Sequence, residues 1–249
     1  MVKGIDKFRN FFIEDVDKYV LIGGAACDIN FTNNEASFRA TRDVDLVLIV
    51  EALTPEFGVK FWEFIESGGY KNKATSSGKP QFFRFTDPTN EDYPKMIELF
   101  ARTELELKSQ SVLTPVHIDD TVSSLSGILL NEEYYQLLLD GRQVVNNLSV
   151  LRPEYLILFK AKAYLDLWSR RQAGEEVHSS EYKKHKKDIL KILIELDTER
   201  LDNIPPGVLV DISTFIESLD NEPFDVNTLI NYGVSTDDIA KRLRALFLE

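Results

Sequence analysis

Arg39-Ala40-Thr41-Arg42-Asp43-Val44-Asp45-Leu46-Val47-Leu48-Ile49-Val50 is the stretch on which the reading of the fold turns. From Val44 onward it is rich in β-branched residues and bounded by charge, as a central strand is. Two aspartates stand at its entrance. Residues two apart in a strand share a face and lie about 6.5–7 Å apart, so Asp43 and Asp45 present their carboxylates side by side. Val47 and Ile49 continue that face into the core. Two such charges repel by ~0.6 kcal/mol in water and by ~2.5 kcal/mol at an effective dielectric of about 20. A partly enclosed pair therefore calls for a cation, and an all-oxygen donor set favours Mg2+ or Mn2+.

Working outward, Lys3 to Lys18 carries Ile5, Phe8, Phe11, Phe12 and Val16 at near-helical spacing and leads into a short buried strand, Tyr19-Val20-Leu21-Ile22. That strand stops at Gly23-Gly24, where the missing Cβ atoms let phosphate oxygens approach backbone N–H groups at the start of a helix from Ala25. Downstream, Pro55 to Ser67 has Phe57, Phe61, Trp62, Phe64 and Ile65 on one face and is ended by Gly68-Gly69, predicting an amphipathic helix. Strands are predicted over Gln81–Thr86, Lys95–Ala101 and Thr114–Ile118. A βαβ start followed by several strands predicts the α/β (α+β) class, a mixed sheet flanked by helices. Glu98 is isolated inside the apolar run Met96-Ile97-Glu98-Leu99-Phe100. If that strand lies beside the Asp43/Asp45 strand, three carboxylates converge, which suits a site that binds a nucleoside triphosphate with metal ions and activates an attacking hydroxyl.

Near Val150 the texture changes to helical periodicity throughout, so residues 1–150 are predicted to form one domain and 151–249 a helical one. Its helices are expected from Pro153 to Arg171, from a Ser179 or Ser180 cap to Leu196, from Pro205-Pro206 to Leu219, and from a Ser235-Thr236-Asp237 cap to Leu248. With 249 residues, 43% hydrophobic and 28% charged, the chain is long enough for one large or two small ordinary globular domains. No apolar run approaches the ~20 residues that span a bilayer, and Met1 to Asp6 lacks a signal-peptide stretch, so no membrane association is expected. The single cysteine, Cys27, can form neither an internal disulfide nor a metal-ligand set; it reads as a small buried residue in a cytoplasmic protein.

A net charge of −12 argues against bulk DNA binding, so any polyanion must meet a local basic patch. Lys183-Lys184-His185-Lys186-Lys187 is the one dense basic run, either a solvated helix face or a hold for an RNA backbone or a triphosphate. His185 shares a helical stripe with Tyr182, Ile189, Leu193 and Leu196 and reads as packed. His117 and His178 have no partners at ligand spacing, so zinc is not expected. Arg39 and Arg42 flank the acidic pair as charge partners or phosphate ligands, and Thr41 can bond either the local turn or a phosphate. Lys160 falls among Leu156, Ile157, Ala163, Tyr164 and Leu167, so its charge is near an apolar face or snorkels to water.

Taken in order, Gly23-Gly24, Asp43-Val44-Asp45-Leu46 and Glu98 resemble the signature of nucleotidyltransferases of the polymerase-beta superfamily. The string Arg39-x-Thr41-x-Asp43-Val44-Asp45 is similar in particular to the AbiEii-type toxin nucleotidyltransferases, whose catalytic domain is followed by a helical domain with a lysine-bearing helix. Glu154, Lys160 and Ala163, with Lys187-Asp188, look like that part. The segment between Gly24 and Arg39, with Asn33-Asn34 in it, is longer and more polar than the family pattern. The resemblance implies Mg2+ or Mn2+ held by Asp43, Asp45 and Glu98, with Glu98 assisting deprotonation of the acceptor hydroxyl. It also implies nucleotide phosphate bound by Gly23, Gly24, Arg39, Thr41, Arg42 and Lys160, and a helical domain that closes over the cleft. The implied reaction moves a nucleoside monophosphate from an NTP to an acceptor, tRNA or protein, in a toxin–antitoxin or phage-defence setting with an antitoxin partner. Two other readings stand beside it. One is nucleotidylation of a cationic, antibiotic-like small molecule, and the other is a non-catalytic module that binds nucleotide or a partner.

Overall fold

The computed structural model describes residues 2–31, 43–71, 82–100, 128–129, 131–197 and 200–249. The expected strand at Thr114–Ile118 lies outside them. The chain divides into two compact units, one made of residues 1–130 and 141–152 and the other of 131–140 and 153–249. Residues 131–140, placed with the first domain on sequence, thus belong to the second unit.

Among the described residues, the first unit holds a mixed six-stranded sheet of order β3-β4-β2-β1-β6-β5, with β1 at Tyr19–Ile22, β2 at Asp43–Leu48, β3 at Phe82–Thr86, β4 at Met96–Phe100, β5 at Arg142–Val145 and β6 at Leu148–Leu151. β1 runs antiparallel to β2 and parallel to β6, while β2 runs parallel to β4. The expected βαβ start is therefore not a parallel crossover: helix α2, Gly23–Asn30, lies between two antiparallel neighbours. β1 and β6 are buried along their whole length, as central strands covered on both faces are. β5 alternates exposed and half-buried positions, the pattern of an edge strand. It joins β6 through Asn146-Asn147, both at positive φ (49° and 60°), a two-residue hairpin turn whose backbone asparagine tolerates.

An aromatic cluster fills one side of this sheet. Helix α1 covers Ile5–Phe11, shorter than the expected Lys3–Lys18, because the chain from Phe12 to Lys18 descends to β1 through successive turns closed by Asp15 N–H to Phe12 and Lys18 N–H to Asp15. Phe64 sits at the cluster's centre, with ring centroids of Phe8, Phe11, Phe12 and Tyr93 at 5.6, 5.1, 5.2 and 4.8 Å. It comes from helix α3, Pro55–Gly68, whose start is set by Pro55 and by the Thr54 hydroxyl accepting the Phe57 N–H. Gly69 ends it in the left-handed conformation.

In the second unit, helix α4 (Glu132–Gly141) is followed, after the β5–β6 hairpin, by α5 (Pro153–Gln172), α6 (Ser179–Glu195), α7 (Pro206–Ser218), α8 (Val226–Tyr232) and α9 (Thr236–Phe247). α6 starts one residue earlier than its expected serine cap, with His178 at the N-cap and its N–H donating to Glu181. α9 has the expected Ser235 cap, whose hydroxyl accepts the Asp238 N–H. α4 belongs here because its polar groups find partners on α7. The Tyr134 hydroxyl donates to Asp211 at 3.0 Å, Lys162 donates to the same carboxylate at 2.8 Å, and Glu133 accepts the Gly207 N–H. Burial, with the facing Asp211 charge second, pushes the Tyr134 hydroxyl's pKa far up and keeps it a donor. No helix among the described residues is long and apolar enough to cross a membrane.

Candidate active site

The register of β2 and β4 decides where the acidic residues go. In their parallel pairing Asp43 stands beside Met96 and Asp45 beside Glu98. Registered neighbours on adjacent strands, about 4.8 Å apart, point to the same face. Asp43, Asp45 and Glu98 therefore rise from one face at the end of the sheet where β2 and β4 begin. Burial follows the same alternation. Asp43, Asp45, Met96 and Glu98 are half-buried, while Val44, Leu46, Ile97 and Leu99 between them are fully buried on the opposite face.

Gly23 completes this end of the sheet. β1 stops at Ile22, which pairs with Asp45, and Gly23 opens α2 directly, two residues before the expected Ala25. Its φ is +64°, and a Cβ built on it would fall on Oδ2 of Asp45. Only glycine combines that backbone conformation with that approach of the carboxylate. Gly24 follows, half-buried, in the first turn, and no side chain from the N-cap, Ile22, caps the helix. The positive end of the helix dipole thus lies beside the aspartate. α2 is fixed by burial of Ala25, Ala26, Cys27 and Ile29 and by Asn30, which donates to the Leu151 carbonyl and accepts from Gln143, both at 2.8 Å.

Sequence reasoning passed over Arg84, which stands opposite Glu98 in the antiparallel β3–β4 pair. Its Nε and Nη2 both donate to Oε1 of Glu98, at 2.6 and 2.5 Å. An arginine in a strand gives no local sign of its cross-strand partner. Arg39, Thr41 and Arg42 lie outside the described residues.

Among the described residues, no three His, Cys, Asp or Glu side chains are gathered closely enough to hold a metal ion. The donor set nonetheless suits a hard divalent cation, since it is all carboxylate oxygen and Gly23 keeps clear the space that Oδ2 of Asp45 occupies.

Lys160 lies in the second unit, buried on α5, with Nζ 2.8 Å from Oδ2 of Asp188 on α6; their side chains are 8% and 21% exposed. It neither snorkels nor lies open. Glu154, at the start of the same helix, is also buried. The basic run on α6 is not one solvated face. Lys183, Lys184 and Lys187 are exposed, but Lys186 turns inward and donates to the carbonyls of Glu222 and Pro223. The rings of Tyr164 and Phe224 lie 5.6 and 5.1 Å from its Nζ. Burial pulls its pKa down to about 8. Lys186, rather than the half-buried His185, occupies the inward stripe with Tyr182, Ile189 and Leu193.

No protein-family model matches the chain, and no curated protein matches it in sequence.

Proposed function

We propose that this protein is a metal-dependent nucleotidyltransferase, with the site at the Asp43/Asp45 end of the sheet and a nucleotidyltransferase-like fold in its first unit. One observation carries the reading: the register that sets Glu98 beside Asp45, on the face that Asp43 shares, next to a glycine whose Cβ would displace the Asp45 carboxylate. The three acids share one half-buried face, on which Arg84 pairs with Glu98. As ligands of Mg2+ or Mn2+, which would neutralise charge on the phosphoryl oxygens, they have a use.

Asp43 and Asp45 hold their carboxylates toward the triphosphate from adjacent same-face positions of one strand. The N-terminal turn of α2, with Gly23 and Gly24, offers backbone N–H groups and a positive dipole to phosphate oxygens. Glu98 receives the proton of the acceptor hydroxyl. The acceptor oxygen bonds to the α-phosphorus, the bond from that phosphorus to the bridging oxygen breaks, and pyrophosphate leaves with its electron pair. Most of the acceleration comes from positioning and preorganised charge.

The acceptor is tRNA, protein or a small molecule, and one experiment separates them. The purified protein is incubated with each α-labelled NTP, Mg2+ or Mn2+ and an RNA-plus-protein extract, beside an Asp43→Ala/Asp45→Ala variant. Label on RNA or protein only with both aspartates intact supports the reading and names the acceptor class. NTP binding without transfer shifts the acceptor to a small molecule. No NTP binding overturns the enzymatic reading in favour of a partner-binding module.

A further inference from the structure

The row of side chains that crosses the sheet at Asp45 does not end at Glu98. Parallel pairing sets Glu98 beside Asp45, and antiparallel pairing sets Arg84 beside Glu98, so Asp45, Glu98 and Arg84 stand in line on one face of β2, β4 and β3. Thr86 and Met96 are the same-face neighbours one step toward the sheet's end, beside Asp43. The Glu98 side chain is 14% exposed and that of Arg84 39%, so the carboxylate is the more enclosed partner and the guanidinium reaches further toward water. Arg84 directs its Nε and Nη2 to Oε1 of Glu98.

This geometry creates a competition. A divalent cation drawn to the three acids and the guanidinium of Arg84 are both positive, and both require the Glu98 carboxylate. The planar, permanently charged fork of arginine is also well matched to phosphate oxygens. Resting on the function proposed above, we infer that Arg84 is a triphosphate-binding residue that exchanges partners. Without ligand it neutralises Glu98. When a nucleoside triphosphate arrives with its cation, Glu98 passes to the metal site and Arg84 turns to the phosphate oxygens. The site then gains a positive contact for the departing pyrophosphate, and Glu98 keeps a positive partner in both states.

A cross-strand ion pair serving stability alone makes a different prediction. If Arg84 only braces the sheet, Arg84→Gln lowers stability and moves metal and nucleotide binding together or not at all. If it exchanges partners, the two affinities move in opposite directions. Mn2+ is titrated calorimetrically into wild type, Asp45→Asn, Arg84→Gln and Arg84→Lys, and each NTP is then titrated at saturating Mn2+. We expect Arg84→Gln to bind Mn2+ alone about fivefold to tenfold more tightly than wild type, because a competing charge is gone. It should bind NTP about tenfold more weakly, the equivalent of ~1.4 kcal/mol. Arg84→Lys keeps a cation opposite Glu98 without the fork, so its Mn2+ affinity should match wild type while NTP binding stays weakened. This variant carries the test if Arg84→Gln does not fold. Wild-type binding that Asp45→Asn abolishes, with both affinities unchanged or both reduced in the Arg84 variants, overturns the exchange and leaves the proposed function standing. A wild type that binds neither Mn2+ nor any NTP overturns the proposed function itself.

Discussion

Two glycines with nearly the same backbone conformation allow the role of Gly23 to be measured against a built-in control. Gly23 has φ +64° and Gly233 φ +65°, but a Cβ at Gly23 would meet Oδ2 of Asp45 whereas one at Gly233 meets nothing within 4 Å. Alanine in the left-handed region costs ~1–2 kcal/mol, offset by ~0.4–1 kcal/mol from the lower entropy of the unfolded chain. Each substitution should therefore destabilise its own unit by about 1 kcal/mol, net of those two terms. The collision at Gly23 adds little to this, because the atom struck is the tip of a short side chain that can rotate away. Rotation nevertheless removes a carboxylate from the site. Gly23→Ala should thus lose Mn2+ affinity by about tenfold or more, equivalent to at least ~1.4 kcal/mol, while Gly233→Ala keeps it. The two tryptophans, Trp62 on α3 and Trp168 on α5, lie one in each unit. Urea unfolding followed by fluorescence in single Trp→Phe backgrounds reports each unit separately, and Mn2+ titration reports the site. Equal Mn2+ affinities in Gly23→Ala and wild type would refute the argument, as would an equal loss in Gly233→Ala.

Lys160→Met should destabilise the second unit by ~3–5 kcal/mol by leaving Asp188 charged and unmatched; adding Asp188→Leu should recover part of that loss in a double-mutant cycle. Burial depresses the pKa of Lys186 from its ordinary 10.5 to about 8. Between those values the unfolded chain binds the proton and the folded one does not, so the Lys186 contribution to stability rises with pH across that window. Urea midpoints of wild type should accordingly climb relative to Lys186→Met from pH 8 to 10, and parallel curves would contradict the assignment. Phe64→Ala, at the centre of the aromatic cluster, should lower stability of the first unit by ~3–5 kcal/mol, measured by the Trp62 transition.

What can be read from sequence is local. β1, β2 and α3 carry their own signals, namely β-branched runs, a Thr54-Pro55 start and a Gly69 stop, and the structure places them within a residue or two of the reading. The β5–β6 hairpin escapes that reading although Asn146-Asn147 announces its turn, because Arg142 to Val145 is an edge strand with only two apolar residues. The register of Glu98 against Asp45 is not readable, since strand pairing is a contact between distant segments. The Arg84 partner is hidden for the same reason. On α6 the helical period fits both His185 and Lys186. Lys186 is the inward residue because carbonyls far along the chain, at Glu222 and Pro223, satisfy its ammonium. α4 likewise joins the second unit through Asp211 and Gly207, which nothing near residue 131 predicts.

The excursion of α4 has a consequence for the order of events on a ribosome. A nascent chain that has emerged as far as residue 141 already contains Asp43, Asp45, Glu98 and Gly23, yet only four of the six described strands. β1, buried at every position, then has one edge bare, the edge that β6 covers through Leu21 and Val150. An open, wholly apolar edge is a template for pairing with another chain. The site-bearing unit is sealed only when Leu148 to Leu151 have emerged, after α4, which packs elsewhere, has been made. A chain truncated before Leu148 should consequently self-associate, because synthesis of the first half alone yields the acids of the site on a sheet that still lacks β5 and β6.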